Sequence, residues 1–193
     1  MAFWSETSTS DPLRQHRWLV SIGAPEMSDY ISYVCKSVAK PKMTVGETEH
    51  KFINHTFYYP GGVTYDPITI TLVDPTSPSS TQALYRLLQV SGYRPPDQIL
   101  DWNAGSTDVS TISKRTGVGA LINAKINQLN GDGSVVETLE LNNAWIKSVD
   151  FGGNLSYENE GLVEIALELR FDWFTLTTDE PQLSPNPAER IVS

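Results

Sequence analysis

Leu162-Val163-Glu164-Ile165-Ala166-Leu167-Glu168-Leu169-Arg170-Phe171-Asp172-Trp173-Phe174 alternates almost without fault. Val163, Ile165, Leu167, Leu169, Phe171 and Trp173 fall on one side, and Glu164, Ala166, Glu168, Arg170 and Asp172 on the other. A period of two over this length predicts one long β-strand with an apolar face and a charged, wetted face. Typical strands run about 5–6 residues, so its neighbours must be long and the sheet tall. The acidic side must look at water, or at something that should not adhere to it.

Working outward, the same grammar recurs. Asn130-Gly131-Asp132-Gly133 is a specific hairpin turn between a strand over 119–129 and one over 135–141. Trp145 to Phe151 continues the sheet, and Gly152-Gly153 turns the chain into the long strand. Ile68-Thr69-Ile70-Thr71-Leu72-Val73 is another strand, stopped by Asp74-Pro75. One helix follows over 78–91: Ser77 can cap it, Pro78 suits its first turn, Leu84, Leu87 and Leu88 form a stripe, and Gly92 ends it. Strands are also expected over 16–22 and 30–38. The polar segment 39–62, with the turn signal Tyr59-Pro60-Gly61-Gly62, reads as a long inter-strand excursion, in part a projecting hairpin. The expected organisation is an arm over 1–15, one mainly-β domain over 16–175 with a loop insertion at 94–116, and a proline-rich tail over 176–193. The tail's prolines forbid a regular ladder, so it should dock on a neighbouring molecule, with Leu183 and Ile191 as anchors.

At 193 residues, 39% hydrophobic and 10% aromatic, the chain fits a single globular domain. Its net charge of −9 opposes electrostatic binding to nucleic acid or to an anionic membrane. No apolar run approaches the roughly 18–20 residues of a membrane helix, and the first residues do not read as a signal peptide. Cys35 is the only cysteine. It is expected to be an inert thiol, because no His or acid stands near it in sequence to activate it.

The residues supply no catalytic constellation. His50 and His55 lack further ligands to complete a metal site. Gly117-Val118-Gly119 lacks the third glycine of a dinucleotide fingerprint and reads as the start of a strand. Position 141, where a calcium loop beginning at Asn130 would need Glu, is Leu. Glu164 and Glu168 lie about 13 Å apart on one strand at ~3.3 Å per residue, too far to flank a single glycosidic bond. The chain is expected to be non-enzymatic, with no metal and no cofactor.

Three stretches carry a resemblance. They are Tyr33-Val34-Cys35-Lys36-Ser37 leading through Pro41 into the long excursion, Ile68 to Asp74 leading directly into the helix, and Asn143-Ala144-Trp145-Ile146 with Val149-Asp150-Phe151 and the strand to Trp173. In this order they resemble the tail tube proteins of contractile-tailed phages, a fold shared with the Hcp ring proteins of type VI secretion. The resemblance implies two packed antiparallel sheets forming a barrel-like body with one flanking helix. It further implies homo-hexameric rings stacked into a hollow tube inside a contractile sheath. Baseplate, tail-terminator and tape measure proteins would be its partners, in a virion tail assembled in the bacterial cytoplasm. DNA would pass the bore without specific binding and without any membrane contact. On that view Glu164, Glu168 and Asp172 are candidate bore-facing acids, since a negative wall repels phosphate. Glu47, Glu49, His50 and Lys51 are candidates for contacts between stacked rings.

The readings that stay open are a baseplate tube initiator of the same fold, an Hcp-like secreted ring, and a carbohydrate-binding β-sandwich. The last needs Trp4, Trp18, Trp102, Trp145 and Trp173 to form an exposed platform. The positions of Trp145 and Trp173 in apolar alternation or at strand starts place them in the core instead.

Overall fold

The computed structural model describes residues 12–23, 31–96, 111–158 and 160–179. Most of the arm, the greater part of the 94–116 insertion and the tail beyond Asp179 lie outside the described residues, with Trp4, Trp102, Leu183 and Ile191.

Ten strands and two helices are complete within the described residues. β1 is Trp18–Ser21, β2 Cys35–Val38, β3 Met43–Phe52, β4 His55–Tyr65 and β5 Ile68–Val73. Helix α1 (Ser80–Val90) and a short α2 (Lys114–Ala120) precede β6 (Lys125–Leu129), β7 (Val135–Asn142), β8 (Trp145–Asp150), β9 (Glu164–Arg170) and β10 (Trp173–Thr178). All ladders are antiparallel. Sheet A runs β1-β6-β7-β10, sheet B runs β2-β5-β9-β8, and β3-β4 stands apart as a two-stranded ribbon.

The alternation that predicts strands also builds the core. In sheet B, Ile68, Ile70 and Leu72 of β5 stand opposite Leu169, Leu167 and Ile165 of β9, and all six are essentially inaccessible. Val20, Ile126, Leu139 and Leu141 complete the layer from sheet A, and α1 adds Leu84 and Leu87. Each such side chain is worth about 1.5–3 kcal/mol in apolar burial. The fold is therefore mainly β, two antiparallel sheets over one core. The ladders leave both sheets open rather than closed into a barrel.

The long alternating stretch is not one strand. It breaks at Phe171-Asp172, where the chain leaves β9 in sheet B and enters β10 in sheet A. Alternation passes through this corner because both strands face the same core: Phe171 is buried, and Phe174 is packed against that core. A period of two reports which side is inward, not which sheet is joined. Tyr65 fastens the corner, its ring 5.8 Å from that of Phe171 and 5.7 Å from that of Phe174. One consequence is that the tail begins after Thr178, not after 175. Another is that Trp173 stands exposed at the corner, not in the core.

Other expectations shift for local reasons. Residues 31–34 are helical, so strand β2 begins only at Cys35. Helix α1 is capped by Ser79, whose hydroxyl accepts from the Gln82 amide, and Pro78 lies before the cap. Asp74 reinforces this start: its carboxylate accepts from the Ser80 amide (2.7 Å) and the Thr81 hydroxyl (2.7 Å). A second helix occupies 114–120, where a loop and then a strand were expected. Ser113 and Thr116 form a reciprocal cap that starts it, and Gly117-Val118-Gly119 lies inside it. The missed signal is Ser-x-x-Thr in place of the usual Ser-x-x-Glu.

Candidate functional site

The ribbon β3–β4 departs most from a compact fold. Every residue from Met43 to Thr64 that lies within its strands is exposed. At ~3.3 Å per residue its ten-residue arm reaches about 33 Å. An isolated two-stranded hairpin is marginal in water. This one is held at its base by Tyr65, by the Lys42–Asp66 ion pair (3.1 Å) and by the Asp66 amide donating to the Lys42 carbonyl (3.1 Å). The projecting hairpin expected in part of 39–62 is thus regular over Met43–Phe52 and His55–Tyr65, so that β4 runs on past 62 to Tyr65.

Its tip is Ile53-Asn54, not Tyr59-Pro60-Gly61-Gly62, which lies within β4. The glycines serve a bulge instead: the register slips between Val45 and Glu47, and a Cβ on Gly61 would sit 3.2 Å from the Gly46 carbonyl oxygen. Pro60 can stand in β4 because that strand has a partner on one side only. At the tip Ile53 has φ 55 and is 84% exposed. A β-branched residue in the left-handed region is strained.

Register divides the four expected ring-contact residues. Glu47, Glu49 and Lys51 share one face with Tyr58, whereas His50 lies on the opposite face with Phe52, His55, Phe57 and Tyr59. That second face is aromatic and carries no carboxylate or amine. Together with Ile53 it makes a large exposed apolar surface, of the kind that marks an interaction site.

The three candidate bore-facing acids are not brought onto one face of one strand. Glu164 and Glu168 do share the outer face of β9, where each is tied to a lysine. Glu164 pairs with Lys36 of β2, and Glu168 accepts from Lys147 (2.9 Å) and from the Ser148 hydroxyl (2.9 Å). Asp172 sits at the corner and accepts from Lys114 (2.6 Å) and Asn143 (2.8 Å). Hydrogen bonds from Lys147 and Ser148 hold Glu168 below the usual carboxylate range, and those from Lys114 and Asn143 do the same for Asp172.

Burial pushes the Cys35 thiol up to about 11, which leaves it protonated and a poor nucleophile near neutral pH. A cavity of 420 Å³ lies between α1, α2 and the start of β8, lined by Leu88, Ile112, Trp145, Ile146, Arg170 and Asp172 among others. Its two serine hydroxyls are engaged in capping: Ser91 donates to the Leu87 carbonyl and Ser113 bonds Thr116. Among the described residues no three His, Cys, Asp or Glu cluster to hold a metal, and no helix is long and apolar enough to cross a membrane.

No protein-family model matches the chain, and no curated protein is similar to it in sequence. Solved structures are similar. A chain of the extracellular contractile injection system PVC, in its extended sheath–tube complex, matches with TM-score 0.60 at 15% identity, over 90% of this chain and 99% of that one. The cap of the anti-feeding prophage matches with TM-score 0.58 at 14% identity, over 92% and 99%. Its baseplate, solved with sixfold symmetrisation, matches with TM-score 0.57 at 15% identity, over 88% and 98%. The fold is shared with components of contractile injection systems. At this identity the likeness establishes fold, and it bears out the tail-tube resemblance read from the strand–excursion–strand–helix order.

Proposed function

We propose that this chain is a non-enzymatic structural subunit of the tube in a phage-type contractile tail, assembling as stacked hexameric rings within a sheath. The observation that carries this reading is the fully exposed β3–β4 ribbon on a body of this fold. It presents Phe52, Ile53, Phe57 and Tyr59 to solvent, which a monomer has no reason to keep. A contact between rings gives that surface a partner. His50 would then act with the aromatic face, and Glu47, Glu49 and Lys51 with the other, so the ribbon can be gripped on both sides. Sheath, baseplate, terminator and tape measure proteins are the partners this role entails. The virion tail is its location, and the bore is the path of the ejected genome.

Deleting residues 47–60 tests the reading. The body should remain folded by circular dichroism while tubes disappear from electron micrographs. Normal tubes from the deletion would remove the ribbon from the account. The likeness to cap and baseplate components keeps one second reading, a subunit that ends or starts the tube. Indefinite self-stacking of purified protein separates the tube body from both.

A further inference from the structure

The cavity between α1, α2 and β8 contains a charge with no counterpart. Its walls are apolar at Leu88, Ile112, Trp145 and Ile146, and its volume is 420 Å³. Among the described residues three charged side chains line it, Lys114, Arg170 and Asp172. Two of these satisfy each other, since Asp172 accepts from Lys114 (2.6 Å) and also from Asn143 (2.8 Å). Arg170 is half-buried and stands opposite Trp145 in the β8–β9 ladder. It has no ion pair among the described residues. Glu168 feels its charge but bonds Lys147 and Ser148 instead. A guanidinium beside apolar walls, without a carboxylate of its own, suits an acidic group carried next to an apolar one.

The occupant must enter by its side chains, because both edges of sheet B are guarded against an added strand. In β8 the register slips between Ile146 and Ser148, at Lys147, and in β2 it slips between Cys35 and Ser37, at Lys36. Bulges and edge lysines are the devices by which proteins prevent sheets from adding strands. Helix α2 also packs against the start of β8, where a Cβ on Gly117 would lie 3.4 Å from Trp145 Cβ. The tail over 180–193 fits by composition and by reach. Glu189 and Ile191 are two positions apart, so in an extended chain they share a side, about 6.6 Å from each other at ~3.3 Å per residue. Arg190 then points away. Leu183 has no such companion: positions 181 and 185 are Pro, and Glu180 falls on the other side. From Asp172, β10 carries the chain about 23 Å to Asp179. The stretch from Asp179 to Ile191 spans up to ~40 Å, enough to double back over the body.

We propose that the tail returns to its own body and seats Ile191 in this cavity, with Glu189 paired to Arg170. The contact needs no second copy, so it holds whether or not rings form. It replaces the expectation that the tail docks on a neighbouring molecule, and it keeps Ile191 but not Leu183 as the anchor. In dilute protein the tether favours the chain's own cavity over another copy's, because linkage supplies an effective concentration of about millimolar. Once seated, the tail covers Ile112, which is otherwise 51% exposed, and one peptide fastens α1, α2 and β8 to the corner at Asp172.

Cysteine cross-linking tests the seat in dilute full-length protein carrying Cys35→Ser. Ile191→Cys with Ile112→Cys should close a disulfide within one chain, read as a faster band on a non-reducing gel. Its formation should be about tenfold faster than for Leu183→Cys with Ile112→Cys, which shares the tether but not the seat. Arg170→Glu should remove that advantage, and adding Glu189→Arg should restore it, a rescue that a merely structural role for Arg170 would not give. Equal rates from the two cysteine pairs, or no rescue by the charge exchange, overturns the inference. Disulfide-linked dimers in place of the fast band overturn it too, and give the seat to the tail of a second copy. A second readout uses Ile112→Cys alone, a half-exposed site where the fold should survive. Its thiol should react slowly with maleimide in the full chain and about tenfold faster once residues 180–193 are deleted. A thiol equally reactive in both proteins overturns the inference. If that equal reactivity is slow and rises only with Trp102→Ala, the cavity belongs to the insertion at 94–116 instead.

Discussion

Sheets A and B share a core and differ in nearly everything that faces away from it. Inward, both show the same Ile, Leu and Val alternation at close to zero exposure. Outward, sheet B carries Lys36, Lys147, Arg170, Glu164, Glu168 and Asp150, whereas sheet A carries Thr, Asn and Ser with one ion pair and the exposed Leu19 and Trp173. The inner faces decide whether the chain folds. Edges and outer faces decide what the folded chain can join, and the two properties can be perturbed separately.

Replacing Leu167 with Ala should produce the largest effect. Leu167 is 0% exposed between β5 and β8, so the cavity should cost about 2–5 kcal/mol. It should be read as a lower urea midpoint at an unchanged slope. Leu176→Ala on β10 sharpens the contrast: the same deletion at a half-exposed edge should move monomer stability by only ~0.5 kcal/mol, yet weaken ring formation in sedimentation. Equal stability losses at the two sites would break the distinction between the sheets.

Asp74 tests a link within sheet B, where β5 hands the chain to α1. Asp74→Ala should cost about 1–2 kcal/mol by leaving the first helical amides unmet. Burial opposes ionisation of Asp74, but hydrogen bonds from Thr81, Ser80 and Ser79 outweigh it and hold the carboxyl below its usual range. Glu168 and Asp172 are shifted in the same direction. Groups depressed on folding contribute stability that is present above the unfolded carboxylate range and lost as pH falls through the folded values. The urea midpoint should therefore drop on acidification below the ordinary carboxylate range, with a smaller drop in Asp74→Ala than in the parent. An identical pH profile in the two proteins would remove Asp74 from that account.

How much of this was legible follows from what each signal encodes. The strands Ile68–Val73 and Val135–Asn142 were readable because burial on one side writes a period of two into the chain. The Asn130–Gly133 turn was readable because its backbone demands particular residues; the Asn130 amide donates to the Ser134 carbonyl there (2.8 Å). The corner at Asp172 was not readable, since a strand that changes sheets over a common core keeps its alternation. The ribbon was legible only in part, as a projecting hairpin within 39–62; with no face buried in its own monomer, 43–65 writes no burial pattern from which its full length and its tip could be read. Glu164 and Glu168 were rightly placed on one face, but their lysine partners come from Lys36 and Lys147, distant in sequence and joined only by the fold.

Smaller effects probe the guards and the tip. Lys36→Thr with Lys147→Thr should change monomer stability by less than about 1 kcal/mol, because exposed ion pairs contribute little. The double substitution should still raise light scattering during concentration, since it strips the charge from both edges of sheet B. A clear solution at all concentrations would show that the bulges suffice without the lysines. Ile53→Gly relieves a left-handed β-branched residue, so the monomer should be unchanged or slightly more stable. Loss of the side chain from the ribbon tip should nevertheless weaken stacking.

Cryo-electron microscopy of purified full-length protein tests the central claim most directly. The account predicts sixfold rings or stacked tubes in which each β3–β4 ribbon reaches into an adjacent ring. A monodisperse monomer at high concentration would contradict the tube, and rings or tubes whose ribbons stay free in solvent would contradict the role given to β3–β4.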